Sequence, residues 1–264
     1  MEDEGAAPLQ LSQSAVLIAG GTSGVGLACA REFAKAGSRE IAIVGRNPER
    51  GEAALRSLKS SYEEVDFRLI LADANVVSEA RRVVEDTTEA FGRVDVLVNS
   101  TAASYVPKLL FRMDLEEIPE ILVQQALAPL LLSSAVLGGM REQKRGVIIN
   151  IASDAAKVPT PGETVLGAAM AAIVTFTRTL AMEGKRDGIR ANAVTPSLIG
   201  GTNVFDRVMN DPFSAKLFGN AAKLAELGVV QPDDLAGLIV YLASPGAAKL
   251  TGQAISMNGG ISAA

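Results

Sequence analysis

Ser153 closes the apolar run GVIINIAS and leads through DAAKVPTPGE into an alanine-rich stretch of helical character. A serine hydroxyl at such a place can hold a substrate oxygen, but the reaction then needs a group that moves a proton. The chain offers few: it has no histidine and one cysteine, Cys29. That removes Ser-His nucleophilic catalysis, imidazole acid–base work and histidine metal sites, and makes a zinc site a poor expectation. Proton transfer falls to carboxylates, lysines, hydroxyls, a bound cofactor, or one of three tyrosines, Tyr62, Tyr105 and Tyr241.

A second cluster points to the partner for that chemistry. In AVLIAGGTSGVGLACA, Gly20, Gly24 and Gly26 follow a G-x-x-x-G-x-G spacing between an apolar run and a helical one. A strand, a tight glycine turn and a helix N-terminus bring backbone amides up to a pyrophosphate, so the stretch predicts a dinucleotide site. The next run, IAIVGRNPER, carries no carboxylate at its end to take the ribose hydroxyls of NAD(H). Arg46 stands there instead, with Asn47 beside it and Ser23 in the glycine turn. A guanidinium suits a 2′-phosphate, which predicts NADP(H). Asp73, in LILADAN, is placed to bond an adenine amino group.

The elements that position these residues are legible as alternating periods. AVLIAG, EIAIVG, DFRLILA, DVLVNS, GVIINIA, IRANAVT and AISMN read as buried strands. Helical stretches lie between them at roughly 24–37, 47–60, 77–92, 117–141, 164–185 and 232–243. The alternation predicts an α/β fold, a doubly wound parallel sheet of about seven strands with helices on both faces, the Rossmann type. The expectation is one domain over 11–264, a loose tail over 1–10, and a substrate lid in the strandless region at about 200–230. The net charge of −5 gives no reason to expect nucleic acid or an anionic membrane surface. MEDEGAAPLQ lacks the features of a signal peptide, and Ile121–Met140 is interrupted by Gln124, Gln125, Pro129, Ser133 and Ser134. A cytoplasmic protein that binds neither nucleic acid nor membrane is expected.

Together these motifs resemble the short-chain dehydrogenase/reductase family across 11–264, with DVLVNS, NIAS, IRANAV and TGQAISMNGG as later landmarks. The resemblance implies cofactor contacts at Gly20, Thr22, Ser23, Gly24, Val25, Gly26, Arg46, Asn47, Asp73, Ala74, Asn99, Ser100, Thr101, Ile199 and Thr202. It also implies a serine, a tyrosine thirteen residues on, and a lysine four beyond that. The tyrosine exchanges the proton, the lysine lowers its pKa and holds the nicotinamide ribose, and the serine bonds the substrate oxygen. Ser153 fits the first position, but Leu166 and Met170 stand at the other two. Gln125 stands where a helical asparagine is usual, Asn99-Ser100-Thr101-Ala102 where Asn-Asn-Ala-Gly is usual, Pro196-Ser197 for Pro-Gly, and Ala19 for a threonine.

The departures gather where the proton moves and spare the nucleotide end, leaving three readings. One is a non-catalytic subunit of a homo-oligomer, or of a hetero-tetramer with a homologous chain that supplies the Tyr–Lys pair, joined through 117–141 and 164–185. The second is a reductase of conjugated carbonyl compounds with a relocated acid: Tyr105 first, then Lys108, Asp154 or Glu163. The catalytic candidates are then Ser153, Gln125 and Tyr105. The third is a non-redox isomerase, lyase or cyclase using Ser153 and a carboxylate. Leu166, Met170, Val158 and the Phe-bearing 203–218 segment predict an apolar small-molecule pocket, and no metal is expected.

Overall fold

The apolar runs become strands because helices cover both of their faces, so near-continuous hydrophobicity is matched by near-complete burial. The computed structural model describes residues 9–103 and 105–264. Among these, seven strands form one sheet: β1 (Ala15–Ala19), β2 (Glu40–Gly45), β3 (Asp66–Leu71), β4 (Val96–Asn99), β5 (Gly146–Ile151), β6 (Ile189–Thr195) and β7 (Ala254–Ser256). The order is β3-β2-β1-β4-β5-β6-β7, with every pair parallel. The winding reverses between β1 and β4, and the crevice beyond the carboxyl ends of those two strands is where doubly wound sheets take ligands.

Helices α1 (Gly24–Lys35), α2 (Pro48–Ser61) and α3 (Val77–Phe91) follow the first three strands. After β4 come α4 (Glu117–Leu122), a π-turn (Val123–Leu127) and α5 (Ala128–Glu142), a continuous helical run. Next are α6 (Thr164–Gly184), the paired α7 (Asn203–Asn210) and α8 (Pro212–Leu224), and α9 (Pro232–Ala243). One core packs Cys29 and Phe33 of α1, Leu58 of α2 and Ile239 of α9 against the sheet; the other uses Val83, Leu132, Met140 and Leu180 from α3, α5 and α6. Both long apolar helical runs, Glu117–Glu142 and Thr164–Asp187, would pass for membrane spans by length and composition, yet they lie against the sheet.

The expected helix 117–141 is thus not a plain α-helix. Pro129 has no N–H to give the carbonyl of Gln125, and the chain takes up a π-turn there. The Ala128 N–H is satisfied from outside the helix by Asn75 Oδ1 at 3.1 Å. The 200–230 region is a helix pair with a small core of its own, in which Leu198, Val208 and Phe218 are buried. The expected tail falls outside the described residues for 1–8, while Leu9 is buried against the first core.

Candidate active site

The glycine turn after β1 lies against the end of β4. Gly20 has φ +75, and a Cβ on it would sit 2.3 Å from the carbonyl oxygen of Ser100. A Cβ on Gly26 would meet the Gly20 carbonyl oxygen at the same distance, so α1 can reach the turn only without side chains here. The α1 N-terminus has no side-chain cap: Ser23 makes no capping bond, whereas Asn47, Thr202 and Asp211 cap α2, α7 and α8. Its first amides face the crevice without a competing side-chain acceptor, which suits a pyrophosphate. Thr101 Oγ1 and Asn99 Oδ1 are buried without a hydrogen-bond partner among the described residues, at the β4 end of the same crevice. An open helix start, a glycine cradle and orphaned polar atoms together fit a dinucleotide.

Val25, Thr22 and Ala74 are buried around this cradle. Thr202 caps α7 by accepting from Phe205 N, donates its hydroxyl to Ile199 O at 3.1 Å, and brings its methyl near Gly24. By sequence Arg46 is free to meet a phosphate. The structure gives its guanidinium two neighbours, Gln124 Oε1 at 3.2 Å and Asp73 Oδ2 at 3.6 Å. Asp73 in turn accepts from Asn75 N and Asn75 Nδ2, and Asn75 holds the π-turn. The ends of β2 and β3 and the helix bearing Gln125 are therefore linked through Arg46, Asp73 and Asn75.

The proton-moving end divides. Gln125 and Tyr105 line an open cavity of about 550 Å³ with Lys108, Met113, Ile121 and Phe213. Ser153 lines a separate one of about 100 Å³ with Val158, Thr160, Glu163, Leu217 and Phe218. The three candidates named from the sequence are not brought together. Tyr105 is engaged elsewhere, being buried with its hydroxyl donating to Gly162 O at 2.6 Å. Burial first, and the Glu163 charge second, push its phenol up to about 12, the wrong direction for a proton donor near neutral pH.

Leu166 and Met170 also differ from expectation. Neither lines either of these two cavities; both pack with Ala126, Ala152, Ala169 and Ile173, and Met170 is 6% exposed. Lys108 is held by Glu117 Oε1 at 2.5 Å. Asp154 is buried with its oxygens taking hydrogen bonds from Ser256, Asn258 and Ser262, so it anchors β7 and the C-terminal segment beyond it. The carboxyl that remains is Glu163, where burial pushes the pKa up to about 7 against the opposing bond to Thr160. Sequence reasoning favours Tyr105 over it, because nothing in a local stretch reports how deeply a helix-start carboxyl is covered.

The sequence model of a family described as enoyl-(acyl carrier protein) reductase matches residues 19–262. A 3-oxoacyl-[acyl-carrier-protein] reductase of Synechocystis is 31% identical over 95% of this chain and 98% of its own length. A probable 2,4-dienoyl-CoA reductase of Bacillus subtilis is 30% identical over 95% of this chain and 97% of its own. Among solved structures, an NADPH-bound short-chain oxidoreductase from Pseudomonas aeruginosa, described as containing an atypical catalytic center, superposes with a TM-score of 0.87. It is 25% identical, over 97% of this chain and 100% of that one.

Proposed function

The chain belongs to the short-chain dehydrogenase/reductase family, and from that premise we propose that it is an NADP(H)-dependent reductase of an apolar, conjugated carbonyl compound whose proton donor is not the family's tyrosine. The observation that carries this reading is the contrast within one crevice. The nucleotide cradle keeps its glycine contacts, open helix start and orphaned Thr101 hydroxyl, while Met170 is core and Leu166 packs half-buried against it. The dienoyl-CoA reductase relative and the NADPH-bound neighbour support the same direction.

When bound, the reduced nicotinamide supplies the hydride. The chain's own residues orient and protonate. The glycine turn and the α1 amides hold the pyrophosphate, Arg46 the 2′-phosphate, and Thr101 a polar atom deeper in the crevice. Ser153 accepts from Ala155 N at 3.2 Å, which leaves its O–H to donate to a substrate oxygen. Helices α7 and α8 act as a lid, and α8 supplies Leu217, Phe218 and Ala221 to the smaller cavity.

The test is cofactor affinity. NADPH is expected to bind more tightly than NADH, and Arg46→Ala to remove the difference, since a charge-assisted contact contributes about 1.5–3 kcal/mol, roughly ten- to a hundredfold. Calorimetric titration measures it. Arg46 must exchange Asp73 for the phosphate, which places the expected gain nearer the lower end. Equal affinities, or no loss on Arg46→Ala, overturn the NADP(H) assignment.

A second reading, the subunit of a homo- or hetero-oligomer, is favoured by one observation. In the apolar runs Glu117–Glu142 and Thr164–Asp187, only 39% and 44% of an 18-residue apolar window is buried within the chain. Helices that apolar need a further surface to cover them. Light scattering at micromolar concentration is expected to give a dimer or tetramer joined through these helices; a monomer excludes this. If reduction of conjugated carbonyls begins only when a homologous chain bearing the Tyr–Lys pair is added, the subunit reading replaces the first.

A further inference from the structure

Glu163 is brought to Ser153 by packing that no local sequence signal announces. It is the residue before α6 and makes no side-chain capping bond there. Gly167, one turn on, lets α6 close on the 154–156 turn, since a Cβ at that position would stand 2.8 Å from Ala155 O. The preceding turn is tied down from the other side by the Tyr105 hydroxyl and by Lys108 N, both donating to Gly162 O at 2.6 and 2.9 Å. The carboxyl therefore shares the small cavity with the Ser153 hydroxyl.

We propose that Glu163 is the proton donor of this site, acting on the oxygen of an α,β-unsaturated carbonyl compound held by Ser153. This rests on the reductase reading above. The groups around the cavity give the carboxyl a bond to Thr160 but no cation. Among the described residues no lysine or arginine lines it; Asp154, the other acid there, is held by Ser256, Asn258 and Ser262, with Lys157 3.9 Å away. Lys108 faces Glu117 and Tyr105 faces Gly162 O. Burial without a cation keeps the acid protonated into the neutral range, where a donor is useful.

Position selects the substrate. Glu163 precedes Leu166 by three residues, about 4.5 Å along the helix axis. An acid so displaced serves an oxygen that is itself displaced from the carbon receiving hydride. That is the geometry of a conjugated carbonyl and not of a simple ketone, where the two atoms are bonded. As hydride from NADPH adds to the β-carbon, the π electrons shift along the conjugated system and collect on the oxygen. The Glu163 O–H bond breaks, a new O–H bond forms on that oxygen, and the carboxylate recovers a proton from water. The enol released returns to the saturated carbonyl compound in water.

The experiment compares the wild-type chain with Glu163→Gln, using cyclohexenone with NADPH as the probe, and follows glutamate side chains by carbon NMR after isotopic labelling. One carboxyl is expected to titrate near pH 7 in the wild type and to be missing from Glu163→Gln. Turnover should fall as pH rises through about 7, because the acid works only when protonated. In Glu163→Gln it should be lower by about 10²–10⁴-fold with no step in that range. Unchanged NADPH binding by the variant reports that it is folded. A Glu163 carboxyl titrating in the ordinary carboxylate range, or a variant as fast as the wild type, overturns the acid and leaves the reductase reading standing. A wild-type chain that binds NADPH yet leaves cyclohexenone unreduced overturns both.

Discussion

Leu166→Tyr combined with Met170→Lys is expected to raise NADPH-dependent reduction of cyclohexanone by about 10²–10⁴-fold over a wild-type rate close to background. A simple ketone needs its proton at the atom next to the one that takes hydride, and on the reading proposed above the position that would supply it is Leu166, which packs against Ala169 and Ile173. Glu163, three residues before Leu166, is displaced from that position by about 4.5 Å along the helix axis. The single changes should be far less than additive: a tyrosine without its lysine keeps a pKa of about 10, and a lysine without the tyrosine has no proton to tune. The position of Met170 adds a cost. It is packed among Ala126, Ala152 and Ile173, so the lysine ammonium enters an apolar setting and loses hydration. The double variant should accordingly be less stable than the wild type without NADPH and recover part of the loss with it. A wild-type chain that already reduces cyclohexanone rapidly contradicts this role for Leu166 and Met170.

Asp95→Ala is expected to lower the unfolding free energy by about 3 kcal/mol, read from the urea midpoint, while NADPH affinity, expected at the opposite ends of the strands, stays unchanged. The Asp95 side chain is fully buried. One carboxylate oxygen accepts from Ala15 N at 2.9 Å and from Arg93 Nε at 2.8 Å, and the other accepts from Arg145 Nε at 3.0 Å. Its backbone N–H donates to Ala15 O, and its carbonyl accepts from Val147 N. One residue thus ties together the starts of β1, β4 and β5. Removal leaves the buried Ala15 amide and the Arg145 guanidinium without this acceptor, while Arg93 keeps Glu40 and the carbonyls of Gln13 and Phe91. The arginines are 29% and 39% exposed and can regain water, which places the cost at the lower end of the range for a broken buried pair. An unchanged midpoint would show that the cluster contributes nothing net.

These two expectations draw on different sources. That Leu166 and Met170 lie thirteen and seventeen residues after Ser153 was legible from position alone; that a tyrosine and a lysine belong there is what the family resemblance implies. The alternation of strands and helices could be anticipated in the same way: buried parallel strands are apolar throughout, amphipathic helices repeat every 3.6 residues, and these periods are local properties. The glycine turn belongs with them, since close backbone approach needs an absent side chain and an absence is visible in sequence. Pro129 was legible only as an interruption of an apolar run, and the π-turn that its missing N–H explains was not anticipated. What the sequence determined by itself was the sheet, the glycine turn after its first strand and the family that these motifs resemble.

The tertiary structure decided which polar groups meet and how deeply they lie. Arg46 and Asp73 come from the ends of β2 and β3 and pair only because those strands are neighbours. Tyr105 reads as an available phenol until Gly162, far along the chain, accepts its hydrogen bond. Ser153, Gln125 and Tyr105 separate into two cavities because the 160–163 turn has Gly162 against Tyr105 while Thr160 and Glu163 line the side facing Ser153. The environment of Glu163 depends on a helix closing against a turn and on α8 covering both. Hydrophobic period and chain stiffness act between near neighbours, whereas the desolvation that moves a carboxyl pKa is summed over every element packed around it. That sum exists only once the chain has folded.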